Sequence, residues 1–449
     1  MKNVRIYMLS FCFIAMALTA CDEQLDVQPQ QSIDESTALS TERNVLAALV
    51  GAYDGLGEND VMGGGQHLTE LFADDGDQIW AGTFEEPEQI FQKRILVQNL
   101  DVERFWIESY EAINRANNVL SALDVVNTDL RGQVEGEAKF IRALVYFDLI
   151  NLCGKTWIDG DPSANPGVPL VLTPTRSIDA SSEVPRNTVA EIYAQVISDL
   201  TDAKNLLPEN NGIFATTYAA SGFLSRVYLM QERFTEAQEE VDRVIRSNAF
   251  SLTPNFADAF NQGGNTTEDI FTIEVTTQDG LNDFILFYAG EARGGRGDID
   301  ITQTHLDQYE AGDARLDLFY IDVNGIPRTG KWQDNANQDG NINIIRLAEL
   351  YLTRAETRFR AGDTAGAAED LNVIRTRVGL PAVQADAVSL ESILQERKLE
   401  LMFEGHMFRD KKRNRISIGG LGFNADELLY PIPQREMDVN LALIQNPGY

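Results

Sequence analysis

The most constraining feature of the chain is a helical pattern between residues 135 and 152 that is apolar on nearly every side. A helix that is apolar over so wide an arc needs neighbouring elements around most of its circumference. The pattern therefore predicts a mainly α-helical body in which this helix is sandwiched between neighbours. Its apolar positions are Ala138, Ile141, Val145, Phe147, Leu149 and Leu152.

Two pairs of closely spaced helical segments indicate helical hairpins. Each pair carries alanine where its two helices must approach closely. The pairs resemble tetratricopeptide-type hairpins, although they do not form a regular array of about 34-residue repeats. The paired segments are 216–231 with 235–247 and 344–361 with 364–378, and further helices are predicted near 41–55, 104–124, 188–207 and 390–404.

Residues 250–343 have a different composition, with short alternating runs and many Gly and Asn residues. This composition predicts irregular loops and short strands packed on the helical scaffold. Binding surfaces are commonly built on loops that a rigid frame holds in place. We therefore expect ligand-facing residues in this part of the chain.

The N-terminus has the pattern of an export signal. A basic head with Lys2 and Arg5 precedes an apolar run that is too short to span a bilayer, and the sequence Leu-Thr-Ala then leads to Cys21. Cysteine at this position resembles a bacterial lipobox, whereas the alternative is an ordinary secretory signal. The pattern predicts a signal peptide over 1–20, acylation of Cys21 and a lipid-anchored tether over 21–40. The mature chain would then be held at the membrane by its lipid anchor only.

Charge and cysteine content exclude several classes of function. The formal net charge of −32 repels phosphate backbones and anionic lipid headgroups, so we expect no nucleic-acid partner. Of the three cysteines, Cys12 lies in the signal and Cys21 is assigned to lipid, so no disulfide framework is possible. Cys153 lies in the apolar helix and is predicted to be a small core residue.

No catalytic constellation is recognisable. The chain lacks a phosphate-binding loop, a nucleophile elbow and a zinc-protease motif, and the glycines at 290–297 lack a dinucleotide fingerprint. His67, His305 and His406 show no metal-ligand spacing. Among 69 acidic residues, carboxylate pairs arise by chance, so they do not indicate glycoside hydrolysis. We expect the protein not to be an enzyme.

Several segments, in the right order along the chain, resemble the SusD/RagB family of outer-membrane lipoproteins of the Bacteroidetes. No single segment is specific, but their order makes the resemblance strong. The segments are 21–29, 51–53, 106–117, 137–154, 346–352, 396–405, 430–433 and 445–449.

The resemblance implies a nutrient-binding protein that closes over a SusC-like TonB-dependent transporter. The nutrient is usually an oligosaccharide. It also implies one body in which tetratricopeptide-type hairpins form a scaffold opposite an irregular, ligand-facing half. We expect an N-terminal helical region over 41–249 and a C-terminal region over 250–449. The latter divides into a loop-rich part (250–343), a helical part (344–404) and a tail (405–449).

Candidate ligand contacts come from aromatic and polar residues in loops, because sugar rings stack on aromatic faces and their hydroxyls need hydrogen-bonding partners. Trp80 and Trp332 lie among Gly, Asp and Asn, where an exposed indole is costly without a use, although burial under a neighbouring loop is the alternative. Trp106 fits a core position instead. The predicted ligand-binding residues are Trp80, Trp332, Phe84, Tyr288, Arg293, Asp75, Asp77 and Gln78.

One loop is similar to the first half of a calcium-binding loop. Residues 335–342 read Asn-Ala-Asn-Gln-Asp-Gly-Asn-Ile, but Arg346 stands at the twelfth position, where an EF-hand needs an acidic ligand. An EF-hand is therefore excluded. A looser structural calcium site and a simple polar turn remain the two interpretations, and no other cofactor is expected.

The preferred hypothesis is a non-catalytic, cell-surface glycan-binding lipoprotein of the outer membrane. Capture of peptide or another nutrient on the same scaffold is the first alternative. An exported glycan-degrading enzyme would need two positioned carboxylates about 5–10 Å apart in a cleft. A helical-repeat adaptor without a small ligand would instead show a broad apolar groove and no aromatic platform.

Overall fold

The structure is a computed structural model that describes residues 38–177, 182–275, 282–334 and 340–449. The predicted signal peptide, Cys21 and most of the predicted tether lie outside these ranges. Residues 335–339 of the calcium-like loop lie outside them as well.

The described part of the chain contains fifteen α-helices and six short strands. The helices are α1 (Glu42–Gly57), α2 (Gln66–Phe72), α3 (Glu85–Phe91), α4 (Leu100–Leu120), α5 (Thr128–Cys153), α6 (Val189–Leu206), α7 (Thr217–Met230), α8 (Phe234–Ser247), α9 (Asp283–Tyr288), α10 (Gln303–Leu306), α11 (Leu347–Arg360), α12 (Thr364–Arg377), α13 (Leu390–Leu401), α14 (Met407–Arg413) and α15 (Gln434–Val439). The strands are β1 (Gln78–Trp80), β2 (Asp269–Ile273), β3 (Ile299–Ile301), β4 (Phe319–Ile321), β5 (Pro327–Thr329) and β6 (Ile342–Arg346).

Helix α5 is the central element that the apolar pattern predicts. It begins after Asn127, whose side chain accepts a hydrogen bond from the Asp129 N–H, and it ends at Gly154. Nearly every residue from Gly136 to its C-terminus is buried, because α4, α6 and α1 pack around it. Cys153 is fully buried, which confirms its prediction as a core residue.

The two predicted hairpins are confirmed as α7–α8 and α11–α12, and α8 packs against α11. Ala219, Ala237, Ala348 and Ala367 are completely buried, as expected for positions where helices approach closely. The turn in the second hairpin contains Gly362, whose φ of 85° favours a residue without a Cβ. These hairpins form the regular side of a mainly α-helical fold.

The predicted helix start at residue 344 is wrong. Residues 342–346 form β6, which pairs antiparallel with β2, and α11 begins at Leu347. Three of the five residues in β6 are Ile, and β-branched side chains suit a strand better than a helix. The other strands form two more antiparallel pairs, β1 with β3 and β4 with β5, on the irregular side.

A buried network of ion pairs ties β6 to the C-terminal helices. The Arg346 guanidinium donates to Glu404 at 2.8 Å, to Glu400 at 3.2 Å and to Glu268. Its side chain is 1% exposed, and those of its three partners are at most 1% exposed. Arg346 is thus a structural residue, and the carboxylate that an EF-hand needs at this position is replaced by a buried cation.

One apolar cluster runs through both halves of the fold, from Val45 on α1 to Leu443 near the C-terminus. Trp106 belongs to this cluster, as predicted. Within the described ranges, no helix combines the length and the apolar character that crossing a membrane requires.

Candidate functional site

Most of the predicted ligand residues gather around the short helix α9. The Trp80 ring lies 5.6 Å from that of Phe287, measured between centroids. Tyr288 donates its hydroxyl hydrogen to Gln78 Oε1 at 2.8 Å. Trp332 stacks on Phe284 with a centroid distance of 4.4 Å and an interplanar angle of 11°. The sequence therefore selects residues that lie together, but their exposure decides what they do.

The expectation that Trp80 stands exposed is wrong. Its side chain is buried within β1, where the alternation of a strand turns Ile79 to solvent and Trp80 inward. The backbone at Gly82 passes so close that an added Cβ would lie 2.4 Å from the indole. In this conformation the Trp80 ring offers no free face to a ligand.

The expectation of an exposed Trp332 is also wrong. Only 3% of the residue is exposed, and its indole N–H donates to the Phe403 carbonyl at 2.7 Å. Its polar neighbour Lys331 is buried as well, because its ammonium group pairs with Glu404 at 2.6 Å. The polar residues around Trp332 in the sequence therefore do not form an exposed loop.

Gln78 and Tyr288 are fully buried, like Trp80 and Trp332. Burial also raises the pKa of the Tyr288 hydroxyl well above its usual value. The hydroxyl group is therefore a neutral hydrogen-bond donor that joins α9 to β1. Neither Gln78 nor Tyr288 reaches the surface.

Phe84 is the predicted aromatic residue that does reach solvent, with 43% of its area exposed. Arg296 lies over this ring, its guanidinium carbon 4.5 Å from the ring centroid. Asp298 holds the guanidinium in place by accepting from Nε at 2.9 Å. The rings of Phe84 and Phe287 meet edge to face, and this contact joins Phe84 to the buried aromatic residues around α9.

Arg293 forms a second stack of the same kind. Its guanidinium carbon lies 3.6 Å from the centroid of the Tyr320 ring, and it also donates to Gln333. The Tyr320 hydroxyl accepts a hydrogen bond from the Gly290 N–H at 2.9 Å, which fixes the phenol against the loop. Both residues of this stack are partly exposed.

We call Phe84, Arg293, Arg296 and Tyr320 the arginine–aromatic surface. One glycine-rich loop carries both arginines, and Gly294 and Gly297 have φ values of 89° and 68° that other residues rarely adopt. The surface offers aromatic area beside planar groups of N–H donors. This combination suits a ligand that has flat C–H faces and hydroxyl groups.

Sequence reasoning missed Arg296 and Tyr320. From the glycine-rich segment at 290–297 the sequence analysis selects Arg293 alone and otherwise records only that a dinucleotide-binding pattern is absent. The alternation of glycine with arginine was the available signal, since a glycine-rich loop can present long side chains at unusual backbone angles.

The structure places Asp75 and Asp77 elsewhere, at the opposite end of β1 from Phe84. Both line a separate cavity of about 590 Å³ between that loop, α13 and α14. Asp77 is buried and accepts from His305 at 3.0 Å and from Lys398 at 2.7 Å. Burial alone would raise the pKa of Asp77, but these two partners outweigh it and hold the pKa well below its usual value.

The three histidines are structural residues in this fold. All three are buried, and burial lowers their pKa values, that of His67 to about 4. His67 stacks on Phe287, with ring centroids 4.5 Å apart. In the described ranges, no group of three or more His, Cys, Asp or Glu residues has the arrangement of a metal site.

Two family models match successive parts of the chain. Residues 23–229 match a SusD-like family described as starch-binding and associating with the outer membrane. Residues 245–427 match the model described as the SusD family. The chain belongs to the SusD/RagB family.

Relatives and solved structures agree with this assignment. SusD-like protein P2 of Formosa agariphila is 26% identical, and the alignment covers 99% of both chains. The starch-binding protein SusD of Bacteroides thetaiotaomicron is 31% identical over 125 residues, which cover 25% of this chain and 22% of that protein.

Among solved structures, a SusD superfamily protein of B. thetaiotaomicron matches with a TM-score of 0.83 and 24% identity, covering 91% of this chain and all of that one. A putative sugar-binding protein of Bacteroides vulgatus matches with a TM-score of 0.81 and 26% identity, covering 92% of this chain and all of that one. The helical hairpins and the irregular half are therefore the fold of the SusD superfamily.

Proposed function

We propose that this SusD/RagB-family chain is a non-catalytic glycan-binding lipoprotein of the outer membrane. It is anchored through Cys21, faces the cell exterior and delivers oligosaccharide to a SusC-like TonB-dependent transporter. The observation that carries the proposal is the match of both halves to SusD-family models, the first of which is described as starch-binding. The arginine–aromatic surface is the proposed place of capture.

The chemistry of this surface supports sugar capture. Sugar rings have flat C–H faces that pack on aromatic area, and their neighbouring hydroxyls accept hydrogen bonds from a planar guanidinium. Phe84 and Tyr320 supply the aromatic area, while Arg293 and Arg296 supply the donors. The charge of Arg296 is offset by Asp298, which favours a neutral ligand at this residue.

Three carboxylates beside this surface are already paired with arginines, which supports a role without catalysis. Asp298 pairs with Arg296, whereas Asp300 and Asp322 pair with Arg328 at 2.8 and 3.0 Å. A glycosidase needs a carboxylic acid with a raised pKa as its proton donor. The pKa of Asp322 is lowered, because hydrogen bonds from the Ile326 N–H and from Arg328 outweigh the effect of burial.

The test is retention of the purified full chain, in detergent, on an immobilised panel of polysaccharides. Wild type is compared with Phe84→Ala, Tyr320→Ala and the control Leu100→Ala, which removes an exposed apolar side chain on α4. We expect retention on at least one glycan that both surface variants lose and the control keeps. Failure to bind any glycan would contradict the function, and release of soluble sugar would contradict its non-catalytic character.

Delivery has a separate test. The chain and a SusC-like TonB-dependent transporter from the same organism are expressed together, and the lipoprotein is isolated with the transporter after solubilisation. Uptake of the bound glycan is then compared between cells with wild type and cells with Phe84→Ala. Normal uptake in cells that lack the chain altogether would contradict the delivery role.

A further inference from the structure

Another cavity is distinct from the arginine–aromatic surface and is not used by the proposed function. It opens between the C-terminal half of α1, the loop before α7 and strand β2. Its volume of about 400 Å³ lies within the range of small-molecule sites. We call it the Phe214 cavity. None of the four residues of the arginine–aromatic surface lines it.

Two aromatic rings form one corner of the Phe214 cavity. The rings of Tyr53 and Phe214 lie with their centroids 4.8 Å apart and an interplanar angle of 44°. The Tyr53 hydroxyl accepts a hydrogen bond from the Ala215 N–H at 3.0 Å, and the Asn211 side chain donates to the Ala215 carbonyl at 2.9 Å. These hydrogen bonds hold the loop against α1, so the fold itself keeps the two rings in place.

Aliphatic side chains extend this aromatic corner towards solvent. Val50 on α1 and Ile213 in the loop line the cavity, and they are 55% and 48% exposed. Ile273 on β2 lines the same cavity and is buried. An exposed apolar patch that lines a cavity is typical of a ligand-binding site.

The three charged residues in the lining are all acidic. Asp54 is paired, because it accepts from Arg115 at 2.8 Å. In the described part of the chain, Glu58 has no ion-pair partner, and no N–H group donates to its carboxylate. Glu274 is exposed and has no partner among the described residues either. Burial and the charge of Asp54 raise the pKa of Glu58, as expected for a carboxyl group that lacks a cation of its own.

This combination of rings and carboxylates favours a cationic ligand. An anion would be repelled by all three acidic residues of the lining, and a neutral molecule would leave two carboxylates without a counter-charge. A cation is attracted both by carboxylates and by the faces of aromatic rings. A trimethylammonium group also suits the aliphatic side chains, because its methyl groups need no hydrogen-bonding partners. A primary ammonium would need acceptors for three N–H groups.

We propose that the Phe214 cavity binds a small organic cation that carries a trimethylammonium group. The methyl groups pack on the rings of Tyr53 and Phe214 and on the side chain of Val50. The carboxylates of Glu58 and Glu274 balance the positive charge. This site is independent of glycan capture at the arginine–aromatic surface.

The test is titration of the full chain with choline, measured by ligand-observed nuclear magnetic resonance in an uncharged polyoxyethylene detergent. The matched probe is neohexyl alcohol, in which a carbon atom replaces the charged nitrogen of choline. We expect choline to bind saturably and the alcohol to bind about tenfold more weakly, because the attraction of the charge to the rings and to Glu58 is lost. Equal affinities of the two probes, or no saturable binding of choline, would overturn the proposal.

Phosphocholine distinguishes a free cation from a phosphate-linked headgroup. Its phosphate adds negative charge close to the trimethylammonium group, whereas the charged residues of the lining are all acidic. We therefore expect phosphocholine to bind about tenfold more weakly than choline. Tighter binding of phosphocholine than of choline would overturn the proposal.

Two substitutions that spare the core locate the site. Glu58→Gln removes one carboxylate, and Val50→Lys places a cation at the exposed edge of the cavity. Each is expected to weaken choline about fivefold and to leave neohexyl alcohol unchanged. The matched controls are Glu391→Gln and Val439→Lys, since both residues are exposed and lie outside the cavity lining. Unchanged choline affinity in either Glu58→Gln or Val50→Lys would overturn the proposal.

Phe214→Leu tests the aromatic ring separately from its apolar bulk. Leucine keeps an apolar side chain in the cavity but has no ring face for a cation. We expect choline to bind about fivefold more weakly and neohexyl alcohol to stay within about twofold of wild type. Phe234→Leu on α8 is the control, because this phenylalanine is also partly buried and lies outside the lining. Equal losses for the two probes would overturn the proposal.

The same variants are also run on the polysaccharide panel. Glycan retention that persists in Val50→Lys supports two separate sites. Glycan retention that disappears in this variant overturns the cation proposal, because the cavity would then be part of sugar capture. A chain that binds choline but no glycan leaves the cation site standing and contradicts the proposed function alone.

Discussion

The guanidinium of Arg293 lies over the ring of Tyr320, with its central carbon 3.6 Å from the ring centroid. In the glycine-rich loop that carries Arg293, Arg296 lies over the ring of Phe84. Each arginine therefore has its own aromatic ring, and each ring can be substituted separately.

Tyr320→Ala is predicted to weaken glycan binding at least fivefold, because it removes both the ring and the support of Arg293. Tyr320→Phe keeps the stack and loses only the hydrogen bond from the Gly290 N–H. We expect its affinity to stay within about twofold of wild type and its stability to fall by about 1 kcal/mol. Calorimetric titration with the retained glycan measures the affinity. Equal losses in both variants would contradict the role of the ring.

Phe84→Ala is predicted to reduce glycan retention with little effect on stability. The side chain is 43% exposed, so its loss is expected to cost about 1–2 kcal/mol of the free energy of unfolding. Phe84→Trp enlarges the aromatic area and is expected to bind at least as tightly as wild type. Thermal melting and retention on the same glycan check both statements. A large drop in melting temperature for Phe84→Ala would show a structural role instead.

Trp332→Ala is predicted to act on stability. The indole is 3% exposed, stacks on Phe284 and donates to the Phe403 carbonyl, so its removal leaves a cavity and an unpaired carbonyl. We expect a loss of about 3–5 kcal/mol in the free energy of unfolding, measured by denaturant titration. Affinity per folded molecule should stay unchanged. Selective loss of glycan binding in a fully stable variant would restore Trp332 as a ligand contact.

Arg346→Met is predicted to destabilise the fold strongly. It leaves the buried carboxylates of Glu268 and Glu404 without their central cation. Breaking a buried ion pair by removing one partner costs about 3–5 kcal/mol. The exposed Arg94→Met is the control, and denaturant titration is the measurement. A variant as stable as wild type would show that the remaining cations neutralise the network.

The raised pKa of the buried Glu70 carboxyl predicts that the stability of the fold depends on pH. Burial raises its pKa from 4.5 to about 7, and one of its carboxylate oxygens has no hydrogen-bonding partner in the described structure. A raised carboxyl pKa favours the folded state at low pH, and this contribution is lost as pH rises from about 4.5 to about 7.

Glu70→Gln should remove this loss. The amide oxygen can still accept from the His406 N–H, which now donates to Glu70 at 2.8 Å. We expect the variant to exceed wild type by about 3 kcal/mol at pH 8 and to match it at pH 4. Urea titrations at several pH values measure this, with the exposed Glu391→Gln as control. A variant less stable than wild type at pH 8 would contradict the raised pKa.

The long helices were predictable because burial on a 3.6-residue period is a local property of the sequence. α5 and the two hairpins follow directly from apolar periodicity and alanine spacing. β6 was not predictable in this way, since its partner β2 lies far away in the sequence. The exposure of side chains in the irregular half was not predictable from the sequence either. Trp332 is buried because it packs on Phe284 and donates to the distant Phe403 carbonyl, and no local pattern predicts those contacts.

The stacks on Phe84 and Tyr320 bear on the thermodynamics of capture. An arginine that is free in solution loses considerable rotamer freedom when a ligand fixes it. Here Arg293 and Arg296 already lie over their rings without a ligand, so part of that entropy loss belongs to folding. The proposed capture surface is therefore partly preorganised, which reduces the entropy that these two side chains would lose during an encounter.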